Sequence, residues 1–113
     1  MDFEQEEQKG VIIKYVNLTR ATKEHAEKFK KFLLKDIREE NCKVIVDLSM
    51  CEFIDSTFIS TLVIALKSIN SMGGTLKLIA VHSDVQSIFE LTGMVKVFDI
   101  YKNVKDALTS FKS

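Results

Sequence analysis

The tripeptide Asp55-Ser56-Thr57 puts a carboxylate beside two hydroxyls at a point where a strand gives way to a helix. Upstream, Val44, Ile45, Val46 and Leu48 form a near-continuous apolar run of the length that suits a parallel strand covered on both faces. Downstream, Ile59, Leu62, Val63, Leu66 and Ile69 repeat at helical spacing and give one apolar stripe. Ser56 therefore falls in the first turn of a helix, beyond the carboxyl end of a central strand, where open α/β sheets place their working surfaces. Unpaired backbone N–H groups and the helix dipole favour negative charge there by about 0.3–1 kcal/mol when exposed. The chemistry that suits the position is acceptance of a phosphate. Asp55 competes with Ser56 for the helix cap, and Thr57 offers a second hydroxyl one residue further on.

Nucleophilic catalysis is the other chemistry these residue types allow. His82 follows the next strand, whose carboxyl end faces the same edge as the strand leading into Ser56, so a serine, a histidine and an aspartate can meet there. A serine hydrolase of this kind needs flanking glycines to expose the nucleophile and form an oxyanion hole. Ile54-Asp55-Ser56-Thr57-Phe58 has none. His82 is accordingly read as a surface loop residue, His25 as a solvated helix residue, and no residue is assigned as catalytic. Gly10, Gly73 and Gly74 open no phosphate-cradling pattern. Cys42 and Cys51 lack both a CxxC spacing and histidines at ligand spacing, so they read as reduced thiols near the central strand, and neither metal nor cofactor is expected.

The elements that position Asp55-Ser56 follow from periodicity. Phe3 to Gln8 reads as an edge strand, Gly10 as a tight turn and Val11 to Leu18 as a second strand by its β-branched content. A helix is predicted from about Thr22 to Glu39, with Ala26, Phe29, Leu33 and Ile37 on its buried face and Lys28, Lys31, Lys35 and Arg38 facing solvent. After the central strand Val44 to Leu48, the helix beginning at Ser56 runs to about Met72 and stops at Gly73-Gly74. Thr75 to Val81 is a strand, Ser83-Asp84-Val85-Gln86 reads as a capping box opening a third helix, and Val97 to Tyr101 is the last strand. Asn103 caps a final helix with Val104, Ala107, Leu108 and Phe111 on one face. Alternation of strands and helices implies right-handed crossovers and a largely parallel core, with the first two strands antiparallel. The expected fold is one α/β domain over residues 1–113, with a mixed, mostly parallel sheet of about five strands and about four helices.

Composition narrows the function classes. Acidic and basic side chains balance to a net charge of zero, which argues against nucleic acid, whose binding draws most of its affinity from a basic face. The N-terminal MDFEQEEQKG is acidic and has no apolar targeting core, and no apolar run approaches the roughly 18 residues of a membrane span. A cytoplasmic protein without direct membrane insertion is expected.

The stretch VDLSMCEFIDSTFISTLVIALKSINSMGGTLKLI resembles the core signature of the anti-sigma-factor antagonist family, whose fold is the STAS domain. The family pattern is a hydrophobic strand ending in Asp-Leu-Ser, an aromatic or aliphatic pair, then Asp-Ser. Asp47, Leu48, Ser49, Phe53, Ile54, Asp55 and Ser56 match it. Val85 to Gly93 is similar to the family's third helix with its closing Thr-Gly, and Val97 to Tyr101 and Asp106-Ala107-Leu108 are similar to its last strand and helix. The resemblance implies a partner switch. The unmodified protein would bind an anti-sigma factor that is also a serine kinase, phosphorylation of Ser56 from ATP would release it, and a phosphatase would reset it. This chain would be the substrate and not the enzyme. A phosphoserine adds about −1.5 to −2 charges, enough to change a docking surface without a change of fold.

Two positions depart from the family pattern. Phe58 stands where the family usually has glycine. Its ring either turns inward beside Leu62 and Ala65 or stands at the helix entrance as an apolar anchor. Because the stripe already supplies a core face, Phe58 is expected at its border, partly exposed and within the docking surface. At the end of the second strand, where family members often carry Gly-Glu-Leu-Asp, this chain has Asn17-Leu18-Thr19-Arg20, so Thr19 replaces an acidic group and a cation follows it. That edge is less acidic, which either eases a phosphate on Ser56 or removes recognition by the usual kinase. The expected docking surface comprises Thr19, Asp55, Ser56, Thr57 and Phe58. Phe58 and Thr19 keep an alternative open, an unphosphorylated adaptor docking constitutively on a larger regulatory or transporter assembly.

Overall fold

The computed structural model describes residues 1–35, 37 and 42–111. Strands β1 (Phe3–Gln8) and β2 (Val11–Val16) form an antiparallel hairpin. Its two-residue turn puts both Lys9 (φ 53°) and Gly10 (φ 78°) in the left-handed region, the twist that two-residue hairpin turns require. There follow β3 (Arg20–Ala21), α1 (Lys23–Leu34), β4 (Lys43–Asp47), β5 (Phe53–Ile54), α2 (Ser56–Ser71) and β6 (Thr75–Ile79). The chain ends with α3 (Ser83–Leu91), a 3-10 turn (Met94–Lys96), β7 (Asp99–Tyr101) and α4 (Val104–Ser110). The main sheet has the order β1-β2-β4-β6-β7. Every pairing in it except β1 with β2 is parallel, so the fold is the mixed, mostly parallel α/β domain expected.

Strand alternation divides the interior. Val44, Val46, Leu76 and Leu78 point to one side and pack under α1, α2 and α3, through Phe29, Leu33, Leu62, Ala65, Ile69, Val85 and Phe89. Ile45 and Ile79 point to the other side and meet Ala107 of α4. Among the described residues no helix is long and apolar enough to cross a membrane.

Three local expectations are corrected. Helix α1 ends at Leu34, not near Glu39, because the fully buried Lys14 reaches across from β2 and donates to the carbonyls of Phe32 and Lys35, each at 3.0 Å, while Lys35 leaves the helix with an extended backbone. A cation on the last carbonyls satisfies groups that another helical turn would otherwise have used. Ile37 is buried as predicted but outside the helix; Arg38 and Glu39 lie outside the described residues. The capping box at Ser83 does not form. His82 is the N-cap of α3, its Nδ1 accepting from Asp84 N at 3.4 Å, and the Gln86 amide donates to the Ala80 carbonyl at 2.9 Å. The last strand starts at Asp99 and not Val97, because the amides of Val97 and Phe98 both donate to the Met94 carbonyl at the close of the 3-10 turn. At Asn103 the predicted cap is present, Oδ1 accepting from Asp106 N at 2.8 Å.

Candidate functional site

The two-residue strands β3 and β5 form a parallel ladder apart from the main sheet, pairing Arg20 with Phe53 and Ala21 with Ile54. Periodicity cannot reveal ladders this short, yet this one brings the starts of α1 and α2 together. The Thr19 carbonyl accepts from Glu52 N at 2.7 Å and Phe53 N at 3.2 Å, and the Ala21 carbonyl accepts from Asp55 N at 3.1 Å. Thr19 is exposed and its backbone fastens the loop in front of β5.

Asp55 is the N-cap of α2. One carboxylate oxygen accepts from Phe58 N at 2.9 Å and the other from Lys23 N, the first residue of α1, at 2.7 Å. Thr22, the residue in the cap position of α1, makes no side-chain capping bond of its own. A single carboxylate thus satisfies free N–H donors of two helices.

Ser56 and Thr57 are exposed in the first turn of α2. Among the described residues the Ser56 hydroxyl has no hydrogen-bond partner; only its carbonyl is engaged, accepting from Ser60 Oγ at 2.9 Å. Thr19, Asp55, Ser56 and Thr57 lie at one edge.

Phe58 does not belong with them. It is fully buried, with its ring stacked on Phe29 of α1 at 4.3 Å between centroids and 17° between planes. The expectation of a partly exposed ring within the docking surface is corrected. Helix α2 packs against both the sheet and α1, so its buried arc is wider than one stripe and takes in Phe58, Ile59, Thr61, Leu62, Ala65 and Ile69. Val63 and Leu66, predicted for the stripe, are only partly buried.

The remaining titratable groups are engaged elsewhere. His82 holds the start of α3 and lies 4.0 Å from Glu52 through Nε2, with no contact to Ser56. The Asp47 carboxylate accepts from Ser49 N at 2.8 Å and shapes the turn after β4, so the Asp-Leu-Ser element is a structural turn. Among the described residues Cys42 and Cys51 form no disulfide. Burial, then the Asp47 charge, pushes the Cys51 thiol up to about 12, so it is inert as a nucleophile. Among the described residues no three His, Cys, Asp or Glu side chains group as a metal site.

Two residues at this edge are legible only in the fold. Met50, after β4, and Val81, after β6, are exposed apolar side chains beyond the carboxyl ends of neighbouring strands. Partner surfaces are often built from such residues.

The five-stranded, mostly parallel sheet and the helices packed on it define a small α/β domain. The STAS domain family model matches residues 6–107, and the chain belongs to that family. It is 31% identical over 86 residues to a Thermotoga maritima protein named as a candidate anti-sigma factor antagonist, covering 75% of this chain and 76% of that one. It is 25% identical over 114 residues to the anti-sigma F factor antagonist of Paenibacillus polymyxa, covering 99% and 96%. The fold matches that of an anti-sigma-factor antagonist (STAS) domain protein from Planctomyces limnophilus with a TM-score of 0.91, at 23% identity and full coverage of both chains. This chain is thus a STAS domain of the anti-sigma-factor-antagonist kind.

Proposed function

We propose that this protein is a cytoplasmic anti-sigma-factor antagonist whose binding is controlled by phosphorylation of Ser56. The observation that carries the reading is the Ser56 hydroxyl, exposed and without a partner in the first turn of α2. Its modification removes no contact of the fold, and the new charge meets the positive end of a helix dipole. In the unmodified state the edge formed by Thr19, Ser56, Thr57, Met50 and Val81 docks on an anti-sigma factor that is also a serine kinase. Transfer of the γ-phosphoryl of ATP to Ser56 would place a dianion in that interface, where its desolvation is costly, and the complex would separate. A phosphatase returns the protein to the binding state.

The adaptor reading loses one of its two supports, because Phe58 packs the core and projects nothing toward a partner. Incubation with ATP and the cognate kinase tests the proposal. A single added phosphate mapped to Ser56, absent in Ser56→Ala, is the expected result. Modification at Thr57 alone, or none while tight binding persists, overturns it.

A further inference from the structure

A cleft of about 520 Å³ lies between the start of α1 and β5, lined by Arg20, Lys23, Glu24, His25, Phe53 and Asp55 among others, and Asp55 precedes Ser56 in the chain. The Arg20 guanidinium lies over the Phe53 ring at 4.3 Å, which holds a long side chain against the wall at little further entropic cost. Lys23 is fixed at its backbone by Asp55, one residue before Ser56. Neither Arg20 nor Lys23 has an ion-pair partner among the described residues, where the single such contact is His82 with Glu52. The two carboxylates of the cleft, Asp55 and Glu24, form no ion pair with either cation. Both Asp55 oxygens already accept backbone N–H bonds, and Glu24 is exposed in the first turn of α1. Two cations without an ion-pair partner therefore line the cleft, together with Asp55, the residue before Ser56.

We propose that this cleft is the receiving site for the phosphomonoester on Ser56 of the same chain, with Arg20 and Lys23 as its cationic ligands. The inference rests on the assignment of Ser56 as the modified residue and adds what holds the phosphate afterwards. Arg20 can bind two phosphate oxygens at once through its planar fork, and Lys23 supplies a point charge. Drawn into the cleft, the phosphate is retained on a fixed surface, which turns a diffuse change of charge into a defined one.

Phosphoserine installed at position 56 during translation tests this without any kinase, so the result is independent of whether the proposed kinase modifies Ser56. The readout is the second pKa of the phosphate by phosphorus NMR titration on the full chain. It is expected below the ordinary value near 6, with Arg20→Ala and Lys23→Ala each raising it by about half a pH unit through loss of one close charge. Arg20→Lys should retain part of the shift. Both cations are exposed, and a thermal melt of each variant verifies that the fold is kept. A phosphate pKa unmoved by both alanine substitutions in folded protein overturns the proposal and leaves the Ser56 switch itself standing.

Discussion

Phe58 is the residue at which packing and docking make opposite predictions. Its side chain is fully buried and stacked on Phe29 at 4.3 Å, so Phe58→Ala removes the ring and leaves a cavity between α1 and α2. Substitutions of this kind cost roughly 3–5 kcal/mol, and glycine in place of alanine costs about 1 kcal/mol more within a helix. Against a total stability of about 5–15 kcal/mol for a domain, Phe58→Gly, which restores the usual family residue, should bring the protein close to unfolding. Urea denaturation followed by far-ultraviolet circular dichroism measures this, since the chain has no Trp to serve as a fluorescence probe. A Phe29→Ala, Phe58→Ala double-mutant cycle should return a coupling of about 0.5–1.5 kcal/mol for the ring pair. Phe58→Leu keeps the site apolar, and its affinity for the partner, corrected for the folded fraction, should be unchanged. A loss of stability below about 1.5 kcal/mol accompanied by a tenfold fall in affinity would refute the packing argument.

Asp55→Ala should cost about 2–3 kcal/mol in the same denaturation assay, because it removes one helix cap and a second N–H acceptor; Asp55→Asn, with a single acceptor oxygen, should lose about half as much. Leu62→Ala should cost about 2–5 kcal/mol, since Leu62 is fully buried; a loss under about 1 kcal/mol would mean that α2 faces the other way. Gly74→Ala should destabilise by about 1–3 kcal/mol, because an added Cβ would stand 2.7 Å from the Cys42 carbonyl and 2.8 Å from Ile69 Cγ2. The Cys51 thiol is raised from 9.0 to about 12 by burial and by the Asp47 charge. Its thiolate forms more easily in the unfolded chain, so the contribution is intact below about pH 9 and is lost as the pH rises toward 12. Alkaline unfolding followed by circular dichroism should therefore be less steep in Cys51→Ala, and in native protein at pH 8 a thiol reagent should modify Cys42 before Cys51.

The parts of this fold that were legible in the sequence are those whose information is periodic. The β-branched runs of β2 and β4 specify burial directly, and helical spacing picks out Ile59, Leu62 and Ile69 of α2 and Ala107 of α4. What escaped depends on residues far apart in the chain. The end of α1 is set by Lys14, eighteen residues before the Phe32 carbonyl it occupies, while the apolar spacing through Ile37 suggests continuation. Phe58 was misplaced because a stripe drawn on α2 alone assumes one covered face, whereas α1 covers a second. The α3 cap moved by one residue, since an imidazole at His82 can accept a backbone N–H bond as the serine side chain does. At the site, Ser56 and Asp55 stood out by type and position, but Arg20, Lys23 and Phe53 are joined only by a ladder of two residues per strand.

That ladder also explains how neighbouring residues would divide the labour of the proposed switch. Asp55 has no spare acceptor for a partner, because its two oxygens are committed to Phe58 N and Lys23 N. Its charge is spent on holding two helix ends side by side, and replacing it perturbs the platform before it perturbs recognition. Ser56, one residue later, has an uncommitted hydroxyl and an exposed side chain, so it can be modified without disturbing that platform. Ser56→Asp should for the same reason change stability little, as a carboxylate in the first turn of a helix is favoured, while weakening partner binding in the direction of phosphorylation. Were Ser56→Asp to unfold the domain, the switch would have to act through the fold. With Asp55 already clamping both helices, the proposed switch would act at the surface.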